Sequence, residues 1–465
     1  MRRRGGGTAT ADDDGAVMME LHLADLHPAL GDPALNSMNF LNEVAQDYPD
    51  AVSLAAGRPY EEFFEFSALH RYLDIFRQHL VDDLGQDSGQ VRRTLFQYGR
   101  TKGIVHHLVA RNLAVDEGMT VDPEAIVVTV GCQEAMFLVL RALRTGPRDV
   151  LLAAAPTYVG LTGAARLLDF PVRPVATTDS GVDLADLRDQ VDQARAEGLR
   201  PRACYLMPDF ANPSGASISL SDRRALLDLA AEKELLLIED NPYGLFPVTE
   251  SRRLPTLKAL DTNRQVVYLG SFAKTVLPGA RVGYVVADQP VPNAGGGSGL
   301  LADQLAKVKS MVSVNTSPVA QAVVGGVLLA HDCSLVAATV RQRTVYADNL
   351  RHLVHGLGSR FPAGSSVRWT VPAGGFFVVV TVPFPVDDAL LHRSAGKYGV
   401  LWTPMAHFYG DGVPVHALRL SVSAVTRDDI DRGLDRLAEL VAGEVTRRDA
   451  RSGYVDSSRS QKGKE

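Results

Sequence analysis

Residues 203–240 read ACYLMPDFANPSGASISLSDRRALLDLAAEKELLLIED. Two short apolar runs, Ala203–Met207 and Leu235–Ile238, enclose a stretch, Ser221–Glu234, whose apolar residues recur at helical spacing. Neither run alternates with polar residues, which is the pattern of a strand covered on both faces. Ser221 and Asp222 stand where a helix of this kind takes its caps. A strand, a helix and a second strand in this order form the unit from which parallel sheets are built.

The same alternation extends outward in both directions. Before it lie the runs Ala125–Val130, Val150–Ala155 and Pro171–Val175, with helical patterns over Glu134–Leu143 and Leu184–Ala196; after it come Val266–Leu269 and Val282–Val286. These runs predict an α/β protein with a mostly parallel, seven-stranded sheet covered by helices on both faces. In open sheets of this class ligands bind beyond the carboxyl ends of the strands, so the chemistry is expected in the turns that follow the runs.

Further on the pattern changes. Helical stretches over Leu300–Leu329 and Leu335–Leu357 are followed by strand signals at Val367–Thr370 and Phe376–Val382 and a last helix near Arg427–Ala442. This predicts a second, small α+β domain that residues 19–75 join from the other end of the chain. The expected boundaries are a disordered tail over 1–18, the N-terminal part of the small domain over 19–75, the large domain over 76–330, the C-terminal part of the small domain over 331–445, and a polar tail over 446–465.

Composition narrows the function. The chain has 465 residues, 46% hydrophobic and 22% charged, with 48 Lys+Arg against 54 Asp+Glu and a net charge of -6. That balance supplies no basic excess for a phosphate backbone and argues against nucleic-acid binding. Three cysteines, Cys132, Cys204 and Cys333, without CxxC spacing argue against a disulfide framework or a metal site. No apolar run approaches the ~20 residues that span a bilayer, and no apolar segment follows the Arg-rich start as in a secretory signal, so a cytoplasmic location is expected.

The turns after the runs carry unusual residues. Gly131-Cys132-Gln133-Glu134 opens a helix after the first run, and such a turn offers free N–H groups to an anion. Asp240-Asn241-Pro242-Tyr243 places a carboxylate at a strand end. Ser271-Phe272-Ala273-Lys274-Thr275 places a lysine at another, with Arg281 seven residues on. Each turn alone has an ordinary reading: a strand-to-helix turn, a cap, a solvated lysine. Together they meet the needs of pyridoxal 5′-phosphate, which takes a lysine for its aldehyde, an anion cradle for its phosphate and a carboxylate for its ring nitrogen. The glycine-rich segment Asn293–Gly299 lacks the GK[ST] ending of a P-loop and reads as a surface connector.

SFAKTVLPGARVGY, residues 271–284, resembles the lysine segment of fold-type I, class I/II aminotransferases, above all the aminoadipate and aromatic aminotransferase subgroup. Other segments agree in order: Gly131-Cys132-Gln133, Pro156-Thr157-Tyr158, Asn212-Pro213-Ser214-Gly215, Asp240-Asn241-Pro242-Tyr243, Pro372–Phe377 and Leu418-Arg419-Leu420-Ser421. The resemblance covers roughly residues 35–440. It implies that Lys274 is the cofactor lysine and the acid/base at the substrate carbon, that Asp240 pairs with the ring nitrogen, and that Asn212 and Tyr243 hydrogen-bond the ring oxygen. It further implies that Tyr158 stacks on the ring, and that Ser271, Arg281 and the Gly131–Gln133 backbone hold the phosphate. Tyr98, in FQYGRTKG, would reach the phosphate of a partner subunit in a homodimer with shared sites. Arg419 would bind the substrate α-carboxylate, with Asn212 and the backbone of Gly57 beside it.

Two departures bear on the substrate. Cys132 stands where the family commonly has serine, so a hydroxyl contact to the phosphate is lost. Asn36-Ser37-Met38-Asn39-Phe40-Leu41 stands where relatives often carry an arginine for a distal acidic group, which weakens an aminoadipate assignment. NSMNFLNEV instead resembles dihydroxyphenylglycine aminotransferases of antibiotic biosynthesis. The leading expectation is a transaminase acting on an L-amino acid and a 2-oxo acid. An oxidase, lyase or racemase on the same scaffold needs the same lysine and carboxylate. A regulator with an aminotransferase-like effector domain is set aside, because fewer than ~35 residues precede the matching region, too few for a DNA-binding domain.

Overall fold

Seven strands form the central sheet of the computed structural model, which describes residues 19, 21–32, 35–178, 180–249, 253–292, 297–409 and 415–461. With β1 at Val52–Ser53, the sheet strands are β2 (Ile126–Thr129), β3 (Asp149–Ala154), β4 (Val172–Val175), β5 (Arg200–Leu206), β6 (Leu236–Asp240), β7 (Val266–Ser271) and β8 (Gly283–Val286). Their order is β2-β8-β7-β6-β5-β3-β4. β8 runs antiparallel to both neighbours and every other pairing is parallel. All seven apolar runs are strands.

Continuous apolarity follows from burial on both faces. In β7, Val267 and Leu269 belong to one core layer and Val266 and Tyr268 to layers on the opposite face, none more than 3% exposed. Each such side chain stabilises the fold by roughly 1.5–3 kcal/mol relative to leaving it in water. Helices α1 (Asn36–Asp47), α2 (Phe66–Asp82), α3 (Ser88–Phe96), α4 (His106–Glu117), α5 (Gly131–Leu143), α6 (Val159–Leu167), α7 (Leu184–Ala196) and α8 (Leu220–Glu232) precede and interleave with the strands.

Local chemistry moves several boundaries. The cap of α8 is Ser219, whose Oγ accepts from the Asp222 amide at 3.2 Å, not Ser221-Asp222. The stretch expected as one helix over Leu300–Leu329 is two, α9 (Leu301–Val312) and α10 (Pro318–Ala330). Pro318 cannot donate an amide inside a helix, so it starts a new one, with the Ser317 hydroxyl as cap. Strands Pro290–Pro292 and Ser298–Leu300 pair antiparallel and flank the glycine-rich connector, of which residues 293–296 lie outside the described residues. So does the tail over 1–18.

The second lobe is built on α11 (Val340–Arg360) and α12 (Arg427–Gln461) with a four-stranded antiparallel sheet. Its strands are β9 (Arg368–Trp369), β10 (Phe377–Thr381), β12 (Thr403–Pro404) and β13 (Ala417–Ser421), in the order β9-β10-β13-β12; β11 (Val400–Leu401) pairs in parallel with β1. Val52 and Leu54 share one core with Leu353, Leu357, Leu418 and Leu420, so both ends of the chain close this lobe. α12 runs past residue 445, where a polar tail was expected, and Thr446 and Arg447 bond within it to Ala442 and Glu444. Helix α2 likewise crosses residue 75, its Phe76 packing against the large sheet's core.

Candidate active site

Strand periodicity selects which side chains face the space between the lobes. In β13, Leu418 and Leu420 point into the small-domain core, so Arg419 between them points the other way. The same alternation in β10 buries Val378 and Val380 and turns Phe377 outward, and in β1 it turns Ser53 away from Val52 and Leu54. These side chains meet the carboxyl ends of β6 and β7 across a cleft of about 590 Å³. Lys274, Asp240, Tyr243, Asn212, Tyr158, Ser271, Arg281, Cys132, Gln133, Gly57 and Arg419 all line it. Among the described residues, no group of three or more His, Cys, Asp or Glu could hold a metal ion.

One end of the cleft is an anion cradle. Helix α5 begins at Gly131 rather than Glu134 and carries no side-chain cap, so the amides of its first turn are left for a ligand. The Arg281 guanidinium lies against Gly131: a Cβ on that glycine would sit 2.5 Å from Arg281 Nη2. Gly131 has φ +72°, where a side chain would be strained as well as crowded, and Arg281, which ends the short turn Pro278–Ala280, has φ +50°. Gln133 spends its side chain on the Gly160 carbonyl at 2.8 Å, so its amide is what it offers the cradle. The Cys132 thiol turns inward, 3.3 Å from the Gly270 carbonyl, and burial pushes its pKa well up, so it stays a neutral thiol. A phosphate monoester fits a helix N-terminus faced by one arginine and the Ser271 hydroxyl.

Lys274 follows β7 and donates to the Gly57 carbonyl at 2.8 Å. Desolvation, then the neighbouring Arg281 and Arg419 cations, lower its pKa to about 8, with Asp240 acting in the other direction. An amine so placed is neutral in a substantial fraction near physiological pH, as a nucleophile or base requires. Gly57 is glycine because a Cβ there would lie 2.8 Å from the Phe377 ring.

Asp240, the last residue of β6, is 2% exposed; burial raises its pKa to about 6 against the opposing hydrogen bond from Tyr205. Tyr243, 4% exposed, has its pKa raised by burial, so its hydroxyl stays protonated and remains a donor. Tyr158 is likewise kept protonated by burial.

Arg419 is 5% exposed and meets no carboxylate within ion-pair distance among the described residues. Its Nη1 donates to Asn212 Oδ1, and its Nη2 donates to the Ala55 carbonyl at 3.1 Å and to Thr403 Oγ1 at 3.2 Å. Nε is buried without a partner. The guanidinium stacks between the Phe377 and Phe408 rings, 4.1 and 4.9 Å from their centroids. Burial lowers its pKa only to about 10, so it stays cationic. A buried cation among neutral acceptors is costly to maintain and is balanced when a carboxylate enters.

Two predicted residues are not in the lining: Gly131, buried behind it against Arg281, and Tyr98, which is 85% exposed and outside the cleft of its own chain. Phe377, Phe408, Thr403 and Tyr205 are additions that the sequence reading passed over. Phe377 stood in the sequence only as the end of the segment Pro372–Phe377, and Tyr205 lay hidden in an apolar run.

Residues 85–437 match the family model of aminotransferases of class I and II. The chain is 53% identical over 433 residues to the (S)-3,5-dihydroxyphenylglycine transaminase of Amycolatopsis orientalis, covering 93% of this chain and 97% of that one. It is 30% identical over 399 residues to the 2-aminoadipate transaminase of Thermus thermophilus, covering 85% and 91% of the two chains. Among solved structures, the α-aminoadipate aminotransferase of Thermus thermophilus, complexed with N-(5′-phosphopyridoxyl)-L-leucine, superposes with a TM-score of 0.75 at 27% identity, over 92% of this chain and 100% of that one.

Proposed function

The chain belongs to the class I and II aminotransferases, which are pyridoxal-phosphate-dependent transaminases, and on that premise we propose that it converts an arylglyoxylate into an arylglycine of the (S)-3,5-dihydroxyphenylglycine kind. The carrying observation is Arg419: a buried cation with an unpartnered Nε between two aromatic rings suits a carboxylate whose α-carbon bears an aryl group. The likeness to the Amycolatopsis enzyme over nearly the whole chain supports the dihydroxyphenyl side chain.

The α5 amides, Arg281 and Ser271 would hold the cofactor phosphate, Tyr158 its ring face, Asn212 and Tyr243 its ring oxygen, and Asp240 its ring nitrogen. Bound there, pyridoxal phosphate supplies an aldehyde that takes up the amino group and a ring that draws electrons from the substrate α-carbon. Arg419 fixes the α-carboxylate through a fork of N–H groups, and Asn212, bonded to that guanidinium, ties substrate placement to cofactor placement. Lys274 Nζ, neutral above about pH 8, takes the α-proton and returns it on the other side of the transfer.

The test is a panel of amino donors with 3,5-dihydroxyphenylglyoxylate and 2-oxoadipate as acceptors, read by product mass. Preference for the aryl acceptor is expected, and equal or better use of 2-oxoadipate would overturn the proposed side chain. In the same panel, Arg419→Lys keeps the charge and loses the fork, and should raise KM about 100-fold for all donors and acceptors alike, with Tm nearly unchanged. Unaltered KM would assign Arg419 a structural role.

The exposed Tyr98 supports a homodimer whose sites are shared, Tyr98 serving the partner's phosphate. Mixing inactive Tyr98→Ala and Lys274→Ala chains should then recover up to about a quarter of wild-type activity, since only one of the two sites in each hybrid is intact. Confirmed hybrids without recovery would remove Tyr98 from the site. Cys132, Cys204 and Cys333 are free thiols, which supports a reducing compartment, the cytoplasm. No helix among the described residues is long and apolar enough to cross a membrane.

A further inference from the structure

A buried carboxylate needs donors, and Asp240 has few. No lysine or arginine lies within ion-pair distance of it among the described residues. Its Oδ2 accepts from the Tyr205 hydroxyl at 2.7 Å, while its Oδ1 has, among the described residues, only the Cys132 thiol, at 3.8 Å. Register explains the contact with Tyr205. Tyr205 on β5 pairs with Ile238 on β6, and Asp240, two residues further on, shares that face of the sheet. Tyr205 is 1% exposed, and burial drives its pKa well up, so its hydroxyl is a permanent donor.

We propose that Tyr205 is a positioning residue for Asp240: its hydroxyl pins Oδ2 and holds the carboxylate as the anion, leaving Oδ1 to receive the ring N–H of the cofactor. This rests on the reading that Asp240 serves the ring nitrogen. The other groups that face Asp240 are Cys132 on α5, Lys274 after β7, Tyr158 at the start of α6 and Tyr243 in the turn after β6. Both phenols and the thiol are held neutral by burial, so among the described residues the cation that acts on the carboxylate is Lys274, from beyond ion-pair distance. A hydrogen bond to the ionised form is what keeps a desolvated carboxylate charged. The competing role for Tyr205 is core filler, in which the ring matters and the hydroxyl does not.

Tyr205→Phe separates the two, because it keeps the ring. The full chain is titrated with pyridoxal phosphate from pH 5 to 8, and the pH at which affinity falls on the acid side is compared with wild type. That midpoint should rise by about one pH unit, since the carboxylate now holds its proton longer. At neutral pH kcat should fall about tenfold, with KM for the amino donor nearly unchanged because Arg419 is untouched. An unmoved midpoint with unchanged kcat overturns the proposal, whatever happens to Tm.

Asp240→Asn supplies the second arm. In that background the Tyr205→Phe change should add almost nothing to either readout, and a full additive effect would place the action of Tyr205 elsewhere. If Tyr205→Phe alone does not fold while the double variant does, the coupling of hydroxyl to carboxylate is supported by that difference. Should Asp240→Asn itself bind cofactor and turn over normally, the underlying reading of Asp240 fails. If Asp240→Asn is impaired and Tyr205→Phe is normal, only the role of Tyr205 fails.

Discussion

Lys274→Ala is expected to lower kcat for amino transfer about 10⁴-fold, and Lys274→Arg about as much. The two substitutions remove different things. Alanine removes the amine altogether. Arginine keeps a cation in the cleft but does not give up its proton, so it can neither take the α-proton nor attack a carbonyl. The structure prepares Lys274 for both tasks by burial and by the nearby Arg281 and Arg419, which bring its pKa to about 8. An amine with lowered pKa is active in its neutral form, so its contribution rises as pH climbs toward about 8 and levels off beyond. Cofactor should still bind both variants, because the α5 amides, Arg281 and Ser271 are untouched. Single-turnover transfer measured alongside cofactor absorbance checks this. If Lys274→Arg kept more than about a tenth of the wild-type rate, the role of Lys274 would be electrostatic only.

Lys274 and Asp240 were legible as strand-end residues because each follows an apolar run, while Asn212 and Arg419 were picked out by the resemblance of their segments to the family's. A charge in an apolar strand must be paired or used, and that is visible without coordinates. The seven strands were legible for a related reason: burial on both faces leaves an unbroken apolar signature, as in Val266–Leu269. The break between α9 and α10 was not, because a local polar loop around Ser313–Ser317 carries the same composition as a helix surface until Pro318 is weighed. Tyr205 was missed for a deeper reason. In the run Ala203–Met207 a tyrosine reads as core, and only the register of β5 against β6 brings its hydroxyl to Asp240. Phe377 and Phe408 come from different parts of the small domain and meet only around Arg419. Cross-strand and cross-lobe contacts are the product of topology, and no spacing along the chain encodes them.

Asp240→Asn is expected to cost activity and to raise stability, two effects of opposite sign from one carboxylate. Without the negative charge opposite the ring nitrogen, kcat should fall about 10³-fold, the scale of a lost preorganised electrostatic partner. The stability effect follows from desolvation. Burial raises the Asp240 pKa from 3.8 to about 6 in the folded chain, despite the Tyr205 hydroxyl. Between those two values the folded state holds a proton that the unfolded chain has released, so stability falls as pH rises through this window. At neutral pH the ionised carboxylate leaves the cofactor-free protein less stable by about 3 kcal/mol. Asparagine has no charge to desolvate and can accept from Tyr205, so the cofactor-free variant should melt higher than wild type at pH 7.5. The gap should close below about pH 4, where Asp240 is protonated in both states. Adding pyridoxal phosphate should reverse the ranking, because a ligand stabilises the chain in proportion to its affinity and the charge opposite the ring nitrogen serves that affinity. Melting curves of both proteins at pH 4 and 7.5, with and without cofactor, check all of these statements. A cofactor-free Asp240→Asn chain that melts lower than wild type at pH 7.5 would mean that the carboxylate is a structural cap, its charge already balanced by the fold.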